Sequence, residues 1–124
     1  MALRALPSPT RPAGSVRIDL AVADVRDGNR TVVALAGEAD LSNRSVVADV
    51  LSRVIASSDD DVVIDLADVE FVDTATVRLF CVAKQLLDGR GRALTFRSPS
   101  RLVARMLGFF GLADLIETRE RSEP

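Results

Sequence analysis

The sequence contains no histidine, and this absence excludes Ser-His-Asp and Cys-His catalysis and most zinc sites. Histidine supplies the base of Ser-His-Asp and Cys-His sites, and it is a ligand in most zinc sites. The chain also lacks the Gly-x-x-x-x-Gly-Lys and Gly-x-Gly-x-x-Gly patterns that hold nucleotide phosphates. We therefore expect no catalytic residue, no metal and no cofactor, and we predict that the protein is not an enzyme.

Cysteine, long apolar runs and basic clusters are also scarce. The one cysteine, Cys81, cannot form an internal disulfide, which suits a reducing cytoplasm. No apolar run approaches the ~20 residues of a membrane span. The first residues show no signal-peptide pattern and are interrupted by Pro7, Pro9 and Pro12. Because the basic residues are scattered, nucleic-acid binding has little support. We expect a soluble cytoplasmic protein that does not insert into membranes.

The length of 124 residues is that of one domain. Residues 1–14 are Pro-rich, and we interpret them as a disordered leader. Residues 15–117 contain the periodic apolar patterns and form the predicted domain. Residues 118–124 form a charged tail.

The first half of the domain predicts a hairpin and a helix. Apolar residues alternate over 16–22, and 31–36 reads as a second strand. The turn at 27–29, Asp-Gly-Asn, makes an antiparallel hairpin. Ser42 or Asn43 can then cap a helix. Its apolar face is predicted to contain Val46, Val47, Val50, Leu51, Val54 and Ile55.

The second half predicts strands and helices in alternation. Residues 62–66 form a short strand that is apolar on both faces, as in a sheet covered by helices. A helix over 76–87 and a strand over 93–96 follow, and then a third helix that Ser98 or Ser100 caps. The inward residues are predicted to be Leu79, Phe80, Ala83, Leu86 and Leu87 in the second helix and Leu102, Val103, Met106, Leu107 and Phe110 in the third.

The predicted element order is ββαβαβα. Strands that alternate with helices imply right-handed crossovers and parallel pairing. The expected fold is therefore α/β: one domain with a mostly parallel sheet after an N-terminal hairpin, and helices packed on the sheet.

The segment between the buried strand and the second helix is the candidate functional element. After Leu66 an acidic turn is expected, and it leads to Asp73-Thr74-Ala75-Thr76. Asp73 or Thr74 can cap the helix. A helix N-terminus favours negative charge, so a phosphate on a hydroxyl of the first turn would be stabilised there. The simplest interpretation is a well-capped helix.

Several motifs carry a resemblance to a known family. They are GEADL at 37–41, VVIDL at 62–66, VEFVDT at 69–74, SPSRLVARML at 98–107 and GL at 111–112. Together they resemble the STAS family of bacterial anti-sigma factor antagonists, over about residues 16–117. The resemblance implies a small α/β domain that binds an anti-sigma factor, often also a serine kinase, and so frees a sigma factor. Phosphorylation in an Asp-Ser-[Ser/Thr]-Gly-Leu turn switches that binding off in the family.

The resemblance assigns roles to individual residues. Asp40 matches the acidic residue at the partner surface, and Asp73 matches the Asp of the motif. Thr74 matches the first hydroxyl. The phosphorylation acceptor falls on Ala75, which has no hydroxyl, so the usual switch is lost.

The rest of the motif also departs from the family pattern. Thr76 replaces the glycine and stiffens the turn because it is β-branched, and Val77 replaces the leucine. Three hypotheses follow. The domain is always competent to bind, as Ala75 implies most directly; or it is phosphorylated at a displaced hydroxyl, Thr74 or Thr76; or it binds a different partner and never used the switch.

A helical wheel adds a second hint. It places Val77 and Cys81 on the polar side of the second helix beside Arg78, either as a shallow contact stripe or as lone exposed apolar residues of no consequence. A redox role for Cys81 is less favoured because no second cysteine can resolve it. The predicted partner-binding residues are Asp40, Asp73, Thr74, Ala75, Thr76, Val77, Arg78 and Cys81.

Two other classes remain as alternatives. Asp40, Asp65 and Asp73 would resemble the acidic site of a phospho-receiver if they met at one edge of the sheet. A phospho-receiver would also need a lysine at the end of a late strand, whereas Lys84 is predicted to lie within a helix. The stronger alternative is a STAS subunit or regulator of a membrane transporter or another signalling complex. A homodimer is left open.

Overall fold

The computed structural model describes residues 20–39 and 44–117. The strands are β1 (Leu20–Asp27), β2 (Arg30–Ala39), β3 (Asp61–Val72) and β4 (Leu94–Arg97); the helices are α1 (Arg44–Ser57), α2 (Thr74–Asp88) and α3 (Arg101–Phe109), followed by a 3-10 turn at Ala113–Leu115. The sheet order is β1-β2-β3-β4. The first pair is antiparallel and the other two are parallel, which confirms the predicted α/β fold.

Several predicted features fall at the ends of the chain and between β2 and α1. The leader, the tail, the start of the first strand at Val16, and the caps Ser42 and Asn43 lie outside the described residues. Within the described part, β1 continues past the predicted end at Val22 to Asp27.

One core joins the sheet to the three helices. Val62, Ile64 and Leu66 alternate along β3 and are fully buried in this core. Val63 points to the opposite face and is also fully buried, as expected for a strand apolar on both sides. The aromatic rings of Phe80 on α2 and Phe96 on β4 pack 5.3 Å apart at 52°. A tilted pair of this kind contributes about 0.5–1.5 kcal/mol beyond burial alone.

The acidic turn predicted after Leu66 is wrong, because β3 continues to Val72. The pairing of β2 with β3 shifts register between Ala34 and Ala36 and again between Gly37 and Glu38. These irregularities let the strand continue with buried residues three positions apart instead of two. The period-two pattern is therefore interrupted although the strand is not.

Both ends of α3 are capped, the first by Ser100, one of the two predicted caps. The Oγ of Ser100 accepts a hydrogen bond from the N–H of Val103 at 3.1 Å, so Ser100 caps α3. At the other end Gly111 has φ +77°, a conformation that glycine adopts without strain. The N–H of Leu112 then reaches back to the carbonyl of Leu107 at 3.0 Å, and both side chains are buried.

Three predicted inward residues point outward instead. Val46 is 39% exposed, Leu86 48% and Leu102 49%. Each helix carries more apolar residues than its buried stripe needs, so periodicity alone does not fix the rotation of the helix about its axis. These residues leave apolar surface on the outside of the domain.

Glu117 ties the end of the domain to the sheet. Its N–H donates to the carbonyl of Phe96 at 2.7 Å, and its carboxylate accepts a hydrogen bond from Nε of Arg97 at 2.9 Å. Arg30 lies 3.6 Å away on β2. The hydrogen bond from Arg97 is the main cause that lowers the pKa of Glu117, against an opposing effect of partial burial.

Candidate functional site

Asp73 connects the C-terminal end of β3 to α2. Its backbone is extended, and its Oδ1 accepts a hydrogen bond from the N–H of Thr76 at 2.9 Å. The carbonyl of Asp73 accepts the first bond of the helix, from the N–H of Val77 at 3.1 Å. Of the two predicted caps, Asp73 and Thr74, it is Asp73 that caps this helix. Its carboxylate therefore satisfies a free backbone N–H of the first turn of α2.

The first turn of α2 separates into an outer and an inner half. Thr74 is exposed and Ala75 is half-buried. Thr76 and Val77 are both fully buried. A phosphate on Thr76 would carry charge into the packed interior, which is costly unless that charge is paired. Of the two displaced acceptors, only Thr74 presents its side chain to solvent.

The helical-wheel placement of Val77 on the polar side is wrong, because Val77 is 0% exposed. The buried face of α2 is centred on Thr76, Phe80, Ala83 and Leu87. Cys81 is half-buried and packs against the core. The proposed Val77–Cys81 stripe is thus not an exposed surface.

A groove opens beside the α2 N-terminus. It has a volume of about 510 Å³, and it is lined by Arg44, Asp73, Thr74, Ala75, Arg78, Leu79 and Val82. The structure brings four of the predicted site residues together here: Asp73, Thr74, Ala75 and Arg78. Thr76 and Val77 lie beneath this surface, and Cys81 is not part of the groove lining. The roles of these residues in binding stay predictions.

Arg44 lines this groove although the sequence did not indicate it as a candidate site residue. It is the first residue of α1, and a lone arginine at a helix start is unremarkable. The signal lies in the topology: β2 and β3 are parallel, and Ala39 pairs with Val72. The helices that follow these two strands therefore begin side by side. This places Arg44 in the groove with Arg78.

The groove is cationic at this end. Arg44 and Arg78 are exposed, and neither makes an ion pair within the described ranges 20–39 and 44–117. The N-terminus of α2 adds roughly half a positive charge. Asp73 is the one acidic residue among the described residues of the lining, and its Oδ1 is engaged in the cap. The site can therefore accept a carboxylate or another anionic group.

The three aspartates of the receiver alternative are not brought together. Asp40 lies outside the described residues. Asp65 lies within β3, and its Oδ1 accepts a hydrogen bond from the N–H of Ala67 at 3.0 Å. Asp73 is eight positions further along, roughly 25 Å at the usual rise of a strand. Among the described residues, no three histidine, cysteine, aspartate or glutamate side chains form a group that could hold a metal ion.

The fold and the site together define a class of protein: a small α/β domain whose candidate site is an open surface at a helix N-terminus. The family model for "Mlab, STAS domain" matches residues 22–117. The chain belongs to the STAS domain family. A domain of this family and fold is generally a non-catalytic binding module.

Solved structures show the same fold. An anti-sigma factor antagonist from Mycobacterium paratuberculosis matches with a TM-score of 0.70 at 20% identity, covering 78% of this chain and 82% of that one. Unphosphorylated SpoIIAA, also an anti-sigma factor antagonist, matches with 0.68 at 17% identity, covering 78% and 86%. The murine anion transporter Slc26a9 matches with 0.58 at 11% identity, covering 65% of this chain and 14% of the transporter. A comparison with curated proteins gave no match.

None of the helices in the described segments is both long enough and apolar enough to cross a membrane.

Proposed function

We propose that this domain is an anti-sigma factor antagonist that acts in the cytoplasm. It binds an anti-sigma factor, either a simple one or one that is also a serine kinase, and thereby frees a sigma factor. The support is the STAS family membership together with the antagonist motifs in the sequence. The observation that carries the proposal is the open cationic groove around Thr74, Ala75 and Arg78 at the start of α2.

The lack of an acceptor hydroxyl at Ala75 determines the regulation that we propose. Ala75 leaves the helix end without added negative charge, as in an unphosphorylated antagonist. Thr76 is buried and is a poor substitute acceptor. We therefore infer that the domain is permanently competent to bind. Thr74 is the exposed position at which a displaced phosphorylation would act.

The binding proposal is tested against the anti-sigma factors of the host, purified one by one. We expect one of them to form a complex with the domain by isothermal titration calorimetry, with or without ATP. Release of a sigma factor from a preformed sigma–anti-sigma complex should follow when the domain is added. Failure of every anti-sigma factor to bind would refute the proposal.

The regulation is tested separately by mass spectrometry. After incubation with the cognate kinase and ATP, the mass of the domain should not change. The gain of one phosphate would refute permanent competence. If the domain is labelled and Thr74→Ala removes the label, Thr74 is the displaced acceptor. If the label survives in the Thr74→Ala, Thr76→Ala double variant, the displaced-acceptor hypothesis is excluded.

A second candidate function has one supporting observation, the similarity of fold to a domain of an anion transporter. In this alternative the domain is a subunit or regulator of a membrane transporter. A pull-down from the native host separates the two candidates. Recovery of transporter subunits without an anti-sigma factor would favour the alternative.

A further inference from the structure

A shallow apolar cleft continues from the cationic groove along the outside of the domain, between α1 and α2. Its volume is about 60 Å³. Leu79 and Val82 line both the groove and this cleft, so the two form one continuous surface. On α2 the cleft adds Leu86, and on α1 it is lined by Ala48 and Ile55. We call this continuous surface the α1–α2 groove.

Two apolar residues of the α1–α2 groove, Val82 and Leu86, are not part of the buried core. Val82 is 51% exposed and Leu86 is 48% exposed. With Leu79 they follow the spacing i, i+3, i+7 and form a stripe beside the buried face of α2. Contiguous exposed aliphatic side chains of this kind mark interaction surfaces, whereas isolated ones do not.

The charges around the stripe restrict what can occupy it. Arg44 and Arg78 stand at one end and have no ion-pair partner in the described part of the chain. The other exposed charges of α1, such as Asp49 and Arg53, are not in the lining. An occupant that is apolar along its length and acidic at one end satisfies both features.

A second copy of this chain is a poorer occupant. A two-fold interface places the same patch of both copies together. Among the described residues that line this patch, Asp73 is the one acidic residue, and its Oδ1 caps α2. Within the described lining, a copy therefore offers Arg44 and Arg78 only this carboxylate.

We propose that the α1–α2 groove receives an amphipathic helix of the anti-sigma factor. The apolar stripe of that helix lies on Leu79, Val82 and Leu86, and an acidic residue at one end meets Arg44 and Arg78. The stripe spans two helical turns, roughly 10 Å, and a furrow between two helices is a common seat for a third. This inference rests on the proposed function and names the surface and the kind of partner element that it uses.

The test uses the anti-sigma factor that binds the wild-type domain. Leu86→Ser and Val82→Ser should each weaken the affinity about tenfold or more, as expected for buried anchors of an interface. Leu102→Ser is the matched control, because Leu102 is 49% exposed but lies on α3. It should change the affinity less than about twofold. Circular dichroism of each variant checks that the domain remains folded.

The charge part of the proposal has its own control. Arg78→Glu should slow association and flatten its dependence on salt, because it removes attraction for an acidic partner. Arg53→Glu makes the same charge change on α1 outside the groove and should have a smaller effect on both.

The outcomes distinguish this inference from the proposed function. If the wild type binds and both groove variants bind within about twofold of it, the inference is refuted and the proposed function stands. If the wild type binds no anti-sigma factor, both are refuted. If the domain instead self-associates in light scattering and Leu86→Ser abolishes this, the occupant is a second copy and the inference is wrong.

Discussion

Asp73 provides the most direct test of the site, because its capping hydrogen bond and its negative charge can be removed by different substitutions. Asp73→Ala removes the oxygen that accepts the N–H of Thr76, a residue with no solvent exposure. Loss of an N-cap typically costs about 1 kcal/mol, and a buried donor left without a partner costs about 1–3 kcal/mol. We expect a loss of about 1–2 kcal/mol, or roughly 5–10 °C in Tm for a domain of this size. Asp73→Asn keeps an accepting oxygen and should lose much less.

Urea unfolding followed by circular dichroism measures these stabilities. Ser100→Ala is the matched control, because it removes the same type of cap from α3. It should cost a similar free energy of unfolding but leave anti-sigma binding unchanged. Asp73→Asn should bind as well as the wild type or more tightly, because it raises the positive charge of the groove. Equal unfolding midpoints for the wild type and Asp73→Ala would refute the reasoning about the cap, and loss of binding by Asp73→Asn would refute the reasoning about charge.

The remaining predictions concern the switch, the core and the end of the domain. Ala75→Ser restores a half-buried hydroxyl at the acceptor position. This variant should gain one phosphate from a cognate serine kinase under conditions in which the wild type gains none. An unchanged mass of the Ala75→Ser variant would count against this account of the lost switch. Phe96→Ala removes a fully buried ring packed on Phe80 and should cost about 3–5 kcal/mol in urea unfolding, and a loss below 1 kcal/mol would contradict it. The hydrogen bond from Arg97 lowers the pKa of Glu117 below its usual 4.5, so the stabilisation by this carboxylate is present at neutral pH and is lost as the pH falls through the lowered pKa. The stability gap between the wild type and Glu117→Gln should therefore close in acid, and a gap independent of pH would exclude this effect.

Local chemistry made some features of the fold predictable. Asp73 and Ser100 each precede an apolar pattern of helical period, and each uses its side-chain oxygen as expected. The alternation of strands and helices was sufficient to predict the parallel pairing of β2, β3 and β4. At these positions a few residues that are neighbours in sequence determine the local structure.

Other features depend on contacts that are distant in sequence. The length of β3 depends on how its pairing with β2 shifts, and the buried residues of this stretch are spaced by three. The burial of Val77 and the exposure of Leu86 depend on how α2 rotates between its neighbours, because both sides of this helix are apolar enough to be buried. Arg44 joins the candidate site only because two parallel strands end side by side.

The end of the described chain has a consequence for how the sheet meets other molecules. β4 has four residues, and Ile116 forms a parallel bridge with Phe96 just before Glu117 hydrogen-bonds to the same residue. The chain thus covers part of the outer edge of its own last strand. An uncovered edge strand offers free N–H and carbonyl groups to any extended peptide and invites aggregation. At Phe96, the addition of an extended peptide to β4 therefore competes with the protein's own backbone.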